Sequence, residues 1–186
     1  MTAPDSVAPR ERLRLFVAFP LPRRAAERLG AWQARELARA PDTRPVPTGN
    51  LHVTLAFLGS TPGAEVEGIV GVLRDAARAA SRPALSPARY RETRSVGMVV
   101  LDDEDGRATT LADEVGAGLE RLGVYRRERR PWLPHVTVLR FRQRPRLDPP
   151  VPALGRVSPS EVALYHSVLR PNGAQHEIVE SVALRA

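Results

Sequence analysis

The chain has 186 residues, with 28 basic and 21 acidic side chains, a formal charge of +7 and no cysteine. This length suits one domain with a sizeable core, and the lack of cysteine excludes disulfides, thiolate metal sites and a cysteine nucleophile. The N-terminal residues lack the apolar region of a secretory signal, and the longest apolar run, 15–21, is too short to span a bilayer. We therefore expect a cytoplasmic protein that does not enter a membrane.

All 28 basic residues are arginine, and this leaves two explanations of the charge open. Arginine pairs bidentately with phosphate and a positive field steers polyanions, so an anionic partner is one explanation. A GC-rich coding bias is the other, since alanine and proline are abundant too. The net charge alone does not decide between them.

The first third of the chain predicts a strand, a helix and a second strand. Residues 1–12 have the composition of a flexible arm. The apolar run 13–21 predicts a buried strand, and the helical spacing of apolar residues predicts a helix from about 22 to 40. Alternation over 51–59 predicts the next strand.

The middle of the chain predicts two helices around a hairpin. Apolar residues at helical spacing over 66–77 and 111–122 predict amphipathic helices, the latter ending near Gly123. Between them, 83–90 and 95–102 predict a β-hairpin.

The last third predicts three more strands. A basic segment, 125–134, leads into a strand over 135–141, and apolar runs at 161–169 and 177–184 follow with a turn at Gly173. Helices alternate with strands early and a hairpin comes late, which favours an α+β fold over an all-parallel one.

One motif occurs twice, as LHVTLAFL at 51–58 and PHVTVLRF at 134–141. Side chains two apart in a strand share a face. Each copy therefore presents an imidazole and a hydroxyl on one face and apolar residues on the other. Two of the four histidines of the chain, 83 positions apart, occupy this same setting.

Two histidines across a cleft suit an in-line displacement at phosphorus. With pKa values near ~6.5, His52 and His135 can divide the work, one accepting a proton and the other donating one. Thr54 and Thr137 can donate hydrogen bonds to phosphate oxygens. The alternative for either motif alone is a structural histidine in an ordinary strand, and the spacing leaves open which ring is the acid and which ester bond breaks.

The chain resembles the two-histidine phosphoesterases, and within them the RNA 2′,3′-cyclic phosphodiesterases once described as 2′-5′ RNA ligases. The segments that carry the resemblance are LRLFVAFPLP at 13–22, PTGNLHVTLAFLG at 47–59, RRPWLPHVTVLRF at 129–141 and LYHSVLRPNG at 164–173. They extend over nearly the whole chain after the arm.

The resemblance implies a bilobal, pseudo-symmetric α+β fold over 13–186, with two antiparallel-rich sheets flanking a central cleft and helices outside. It implies that His52 is the proton donor to the leaving 3′-oxygen and His135 the proton acceptor that activates water. Thr54 and Thr137 fall on phosphate-binding positions. The implied reaction is hydrolysis of a 2′,3′-cyclic phosphate to a 2′-phosphomonoester, without a metal or other cofactor.

Four further residues are candidates for substrate binding. Arg130 and Arg127 belong to a basic cluster before the second motif that could follow an RNA backbone or be a solvated loop. Arg140 matches a basic position of the family, although strict alternation places it out of phase with Thr137 unless the strand bulges. Trp132 could stack on a nucleobase or pack in the core.

Other chemically suggestive residues have simpler interpretations. We expect His166 and His176 to be non-catalytic, although His176 stands where tyrosine is common in the family. Phe16, Ala18 and Phe57 are expected in the core, with the alternative that the opening strand lines the cleft, and the acidic run 102–105 is expected in a solvated turn rather than a metal site.

The sequence thus predicts a metal-independent RNA 2′,3′-cyclic phosphodiesterase whose site could also run in reverse as a 2′-5′ ligase. We expect a monomer with no obligatory protein partner. Two alternatives stay open: a non-catalytic RNA-binding protein, and a phosphodiesterase for a small cyclic nucleotide such as ADP-ribose cyclic phosphate.

Overall fold

A computed structural model describes residues 11–38, 40–171 and 173–186 of the chain. Within these residues, three α-helices span Arg23–Glu36 (α1), Val66–Ala79 (α2) and Arg107–Arg121 (α3). The strands are Arg12–Pro20 (β1), Thr43–Pro45 (β2), His52–Pro62 (β3), Leu85–Glu92 (β4), Val96–Asp103 (β5), His135–Phe141 (β6), Glu161–Arg170 (β7) and Gly173–Ala183 (β8). None of these three helices has the length and apolar composition needed for a membrane span.

The predicted elements agree with the observed ones, with small differences at their ends. The first ten residues of the predicted arm lie outside the described residues, and Arg12 already belongs to β1. Helix α1 ends at Glu36 rather than near residue 40, because the chain leaves the helix at Leu37, whose side chain is fully buried.

The strands form one antiparallel sheet in the order β4-β5-β6-β3-β1-β7-β8. The short strand β2 pairs with the end of β6, on the edge that faces away from β5 and that β3 also uses. The two sheets expected from the resemblance are halves of this sheet. They meet where Val53 of β3 pairs with Val136 of β6, the one position at which these two strands pair. The α+β class is confirmed.

All three helices contribute to the same core on one face of the sheet. Leu29 of α1, Leu73 of α2 and Leu119 of α3 are buried together with Val53 and Val136. Each helix buries one apolar stripe, and each buried leucine stabilises the fold by about 1.5–3 kcal/mol. The opposite face of the sheet carries the histidines and threonines of both motifs, and we call it the cleft face.

Strand β3 contains a bulge directly after its motif. Thr54 pairs with Ala18 of β1, whereas the next paired residue of β3 is Ala56, so Leu55 is extra. Leu55 and Ala56 are both buried, and Phe57 returns to the cleft face with half of its surface exposed, at 49%.

Strand β6 repeats this bulge at the corresponding position. Thr137 and Leu139 pair with successive residues of β5, so Val138 is extra. Its carbonyl accepts hydrogen bonds from the Nε2 of Gln33 at 2.6 Å and from the backbone N–H of Val46 at 3.0 Å. Val138 and Leu139 are buried, and Arg140 is exposed on the cleft face.

Candidate active site

The two motifs face each other on the cleft face. Their central valines pair in an antiparallel register, which places His52 opposite Thr137 and Thr54 opposite His135. Because β3 and β6 pair at a single position, they diverge on either side of it. The structure therefore brings the four predicted residues together across one opening, related by an approximate twofold axis.

Both histidine rings are oriented in the same way. The Nδ1 of His52 lies 2.7 Å from the carbonyl oxygen of Asn50, and the Nδ1 of His135 lies 2.8 Å from that of Leu133. A carbonyl oxygen accepts only, so each Nδ1 carries the proton and donates. A neutral ring then keeps the lone pair on Nε2, which is the nitrogen free to exchange a proton with substrate.

The electrostatic surroundings of His52 oppose its protonation. Burial lowers the pKa of His52 from 6.5 to about 4, and the charges of His176, His135 and Arg140 act in the same direction. The hydrogen bond to the carbonyl of Asn50 partly offsets this decrease. In the free protein at neutral pH the ring is therefore neutral.

A small aromatic cluster forms the floor of the cleft beside His52. Phe16 and Ala18 of β1 pack against Ala163 and Tyr165 of β7, apart from the main core. The Phe16 ring stacks on Tyr165 at 4.9 Å and lies 4.8 Å from the His52 ring. Phe16 is buried as expected, but in the floor of the site.

Phe57 was expected in the core, and that expectation is wrong. The bulge at Leu55 shifts the phase of the strand and leaves the ring exposed on the cleft face. The guanidinium carbon of Arg14 lies 4.8 Å from the centroid of this ring. Arg14 makes no salt bridge to any described residue.

Arg140 reaches the site because of the bulge at Val138, which the alternation rule cannot show. Its charge lowers the pKa of both His52 and His176. Arg140 also lies directly opposite Arg44 of β2, and neither forms a salt bridge within the described chain. Two like charges in this position destabilise the strand pair and favour an anion between or beside them.

The other two candidate arginines are engaged with carboxylates. Arg127 lies 3.0 Å from Asp113 and 3.2 Å from Glu120, and its backbone N–H also donates to Glu120. Arg130 pairs with Glu128 and is otherwise exposed. Both can exchange these partners for phosphate, so their role as RNA contacts stays a prediction.

Trp132 connects the two motifs. Its Nε1 donates a hydrogen bond of 2.9 Å to the carbonyl of Thr54, and the ring packs partly against the core. The segment before the second histidine is thereby held to the strand of the first. Stacking of Trp132 on a nucleobase stays a prediction.

The sequence did not predict a structural role for two residues beside His52, which are His176 and Asn50. His176 of β8 lies with its ring centroid 5.3 Å from that of His52. Asn50 donates its side-chain N–H to the carbonyl of Ala174 at 2.7 Å. The position of Asn50, two residues before His52, was the available signal, since a residue there can orient the ring; nothing in the sequence shows which strand lies beside it.

The acidic run at the end of β5 serves the start of α3. Asp103 accepts hydrogen bonds from the backbone N–H of Ala108 and from both the N–H and hydroxyl of Thr109. Glu104 pairs with Arg156 at 2.8 Å. In the part of the chain that the structure describes, no three His, Asp or Glu side chains converge as a metal-binding group.

Comparison with known proteins identifies relatives along nearly the whole chain. The family model described as LigT like Phosphoesterase matches residues 19–86. A Thermus thermophilus protein named RNA 2′,3′-cyclic phosphodiesterase is 30% identical over 182 residues, which cover 93% of this chain and 91% of the relative. An Escherichia coli protein of the same name is 30% identical over 163 residues, covering 84% of this chain and 88% of the relative.

Comparison with solved structures gives the same family as the comparison of sequences. The crystal structure of Escherichia coli LigT in its apo form superposes with a TM-score of 0.76 and 25% sequence identity, covering 95% of this chain and 99% of that one. The similarity therefore includes both halves of the sheet and not just the region of the family model. On this evidence the chain belongs to the LigT-like phosphoesterase family, and the predicted resemblance to the two-histidine phosphoesterases is confirmed.

Proposed function

We propose that this protein is a metal-independent RNA 2′,3′-cyclic phosphodiesterase that opens the cyclic phosphate to a 2′-phosphomonoester. The observation that carries the proposal is the pair of motif histidines on one face, each donating from Nδ1 to a backbone carbonyl. This arrangement leaves two Nε2 atoms to handle the two protons of an in-line displacement. The name shared by the two relatives at 30% identity supports this substrate class.

The reaction needs one proton removed and one supplied. The Nε2 of His135 takes a proton from water as the water oxygen bonds to phosphorus. As the bond from phosphorus to the 3′-oxygen breaks, the Nε2–H of His52 gives its proton to that oxygen. The proton taken up by His135 then returns to His52 through solvent, and the site is restored.

The remaining residues of the site stabilise charge on the phosphoryl group. Thr54 and Thr137 donate their hydroxyl protons to the non-bridging oxygens, since each stands opposite a histidine of the other motif. Arg140 adds a positive charge on the same face. No metal or cofactor takes part in this scheme.

The low pKa of His52 fits a proton donor that takes up its proton when the substrate binds. The free ring is neutral at pH 7, because its pKa is about 4. An anionic phosphodiester beside the ring favours the imidazolium and raises that pKa. Substrate binding and uptake of the catalytic proton are therefore coupled.

An RNA end is favoured over a small cyclic nucleotide by the surface next to the phosphate site. The exposed Phe57 ring with Arg14 over it offers a stacking surface and a positive charge. Arg140 and Arg44 extend the positive charge on the side of β6. A chain of nucleotides can use both, and a single nucleotide cannot.

The same site can also act as a ligase. The groups that open the cyclic phosphate with water can open it with a 5′-hydroxyl instead, giving a 2′-5′ linkage, and by microscopic reversibility they can cleave that linkage again with the roles of the two histidines exchanged. In the ligation direction His135 deprotonates the hydroxyl and His52 protonates the leaving 3′-oxygen.

The test is turnover of a short RNA ending in a 2′,3′-cyclic phosphate, in excess chelator, with chromatographic separation of the 2′- and 3′-phosphate products. We expect the 2′-phosphate, and a loss of about 10²–10⁴-fold in kcat for His52→Ala and for His135→Ala. His166→Ala is the matched control, because this histidine lies on β7 and makes no ring contact with His52. Full activity in either motif variant with a native fold, or a 3′-phosphate product, contradicts the proposal.

A further inference from the structure

A third histidine stands beside the two of the motifs. His176 lies on β8, the edge strand, yet its ring centroid is 5.3 Å from that of His52, with the planes at 82°. It also lies 4.9 Å from the centroid of Phe16, which in turn lies 4.8 Å from that of His52. The three rings contact one another in a closed triangle.

Asn50 joins the strand of His176 to His52 a second time. Its carbonyl accepts the Nδ1–H of His52 at 2.7 Å, and its side-chain amide donates to the carbonyl of Ala174 at 2.7 Å. Ala174 is two residues before His176 on β8. The same residue thus orients the His52 ring and fixes the strand that supplies its neighbour.

The ring of His176 is held in a neutral state by its own surroundings. Its Nδ1 is buried without a hydrogen-bond partner of normal geometry in the described chain. A protonated imidazole donates from both nitrogens, so a proton there would be left unsatisfied. Burial lowers the pKa of His176, the charges of Arg140 and Arg14 lower it further, and the backbone of Gln175 offsets part of the decrease.

We propose that His176 is a positioning residue for His52: together with Phe16 it holds the plane of the His52 ring and excludes water from that side of it. The catalytic part of this inference rests on the proposed function. The effect on the ring itself does not depend on turnover.

Among the described neighbours of His52, His176 can be replaced while the proposed phosphate-binding residues stay in place. The titratable or charged groups that face His52 are His135 and Arg140 on β6, Tyr165 on β7 and His176 on β8. Burial raises the pKa of Tyr165 to about 12, with a further contribution from Glu161, so that tyrosine stays neutral. His135 and Arg140 belong to the phosphate-handling set, which leaves His176 as the neighbour that can be replaced without removing that set.

The first test is an NMR titration of the histidine ring protons in the full chain. We expect the pKa of His52 to rise by about one unit in His176→Ala, because water enters beside the ring and solvates its charged form. His176→Phe keeps the ring contact and excludes water, so the rise should be smaller. His166→Ala, on the neighbouring strand, should leave the His52 titration unchanged.

The second test is kinetic. We expect kcat to fall about tenfold in His176→Ala with little change in KM, and to recover in His176→Phe, because a misplaced ring costs rate rather than binding. A His52 titration in His176→Ala that is identical to that of the unmodified protein, with native spectra, overturns the inference. So does equal loss of kcat in the Ala and Phe variants. If the unmodified protein lacks phosphodiesterase activity, the proposed function fails, while the titration still decides the role of His176.

Discussion

The environment of His52 shows how the protonation of an imidazole ring is set by its neighbours. Burial disfavours the imidazolium, the charges of His176, His135 and Arg140 disfavour it further, and the carbonyl of Asn50 favours it. The pKa of about 4 is the balance of these effects, before any substrate is present. An anion bound in the cleft acts in the opposite direction, since an opposite charge beside the ring favours the imidazolium.

This balance predicts the acidic limb of the pH profile. The proposed mechanism needs one proton on the two motif rings together, and below about pH 4 His52 binds a proton even in the free enzyme, so kcat/KM, which reports the free enzyme, should fall with decreasing pH. The corresponding limb of kcat should lie at higher pH, because the bound phosphodiester raises the pKa of His52. Initial rates measured from pH 3.5 to 8, with enzyme returned to pH 7 to confirm full recovery, check this prediction. An acidic limb of kcat/KM at 6.5 or above would contradict the lowered pKa of His52.

The different surroundings of Arg140 and Arg130 predict different effects on catalysis when each is replaced. Arg140 lies on the cleft face and pairs with no carboxylate among the described residues, whereas Arg130 is paired with Glu128. We expect Arg140→Ala to lower kcat/KM by about 10²-fold and Arg140→Lys by less, because the charge close to the phosphate is lost or moved. Arg130→Ala should change kcat/KM by about twofold or less, as expected for an exposed ion pair. The reverse order of the two effects would show that the basic loop, and not β6, binds the substrate.

At the level of elements, the two bulges decide which residues the site contains. Position five after each motif histidine is Phe57 in β3 and Arg140 in β6, and a bulge after each threonine turns both onto the cleft face. The same local geometry thus supplies an aromatic ring on one side and a charge on the other. Gln33 of α1 supports the second bulge through the carbonyl of Val138.

These bulges also explain where sequence reasoning succeeds and where it fails. The motif residues were predictable because His52 and Thr54 lie before the bulge, where strict alternation holds. Strict alternation predicts that Arg140 points away from the site and that Phe57 points into the core. Both predictions are wrong, because the extra residue in each bulge reverses the alternation that follows it. A bulge depends on a partner strand and on a donor as distant as Gln33, neither of which a local pattern contains.

The exposed ring of Phe57 predicts a preference for RNA over single nucleotides. Phe57→Ala should raise KM about tenfold for a dinucleotide ending in a 2′,3′-cyclic phosphate, since loss of base stacking costs about 1–3 kcal/mol. The KM for a mononucleoside 2′,3′-cyclic phosphate should stay within twofold, because it does not extend to that ring.

The control for this prediction is Phe57→Tyr, which keeps an aromatic face and should keep the dinucleotide KM. Steady-state kinetics with the two substrates on the three proteins give the comparison. Equal effects of Phe57→Ala on both substrates would favour the alternative of a phosphodiesterase for a small cyclic nucleotide.

For the whole molecule, the division of the sheet into two faces separates stability from function. The helices cover one face with a continuous apolar core, and the other face holds the paired motifs, the aromatic floor, Arg44 and Arg140. The α+β class was predictable from apolar periodicity, and the outer position of the helices from the family resemblance. The contact of β8 with His52 was not, because it depends on strand order, which brings the last strand of the chain beside the first motif.

His52 of the cleft face should lower the free energy of unfolding at acidic pH. The unfolded chain binds a proton at His52 near pH 6.5, whereas the folded protein binds it only near pH 4. Stability from the neutral ring is therefore fully present above pH 6.5 and is lost as the pH falls towards 4, by up to about 3 kcal/mol. The pKa of His176 is also lowered by burial, so its contribution has the same sign.

The free energy of unfolding, measured by urea denaturation at several pH values from 4 to 7.5, tests this directly. We expect His52→Asn to flatten the decrease below pH 6.5, because the group that takes up the proton on unfolding is gone, whatever the variant does to stability at pH 7.5. His52→Asn with His176→Phe should flatten it further, because the pKa of His176 is also lowered in the folded protein. Parallel curves for the unmodified protein and His52→Asn would mean that His52 titrates alike in the folded and unfolded chains. The ring would then not be held neutral by the fold, and the proposed coupling of proton uptake to substrate binding would lose its basis.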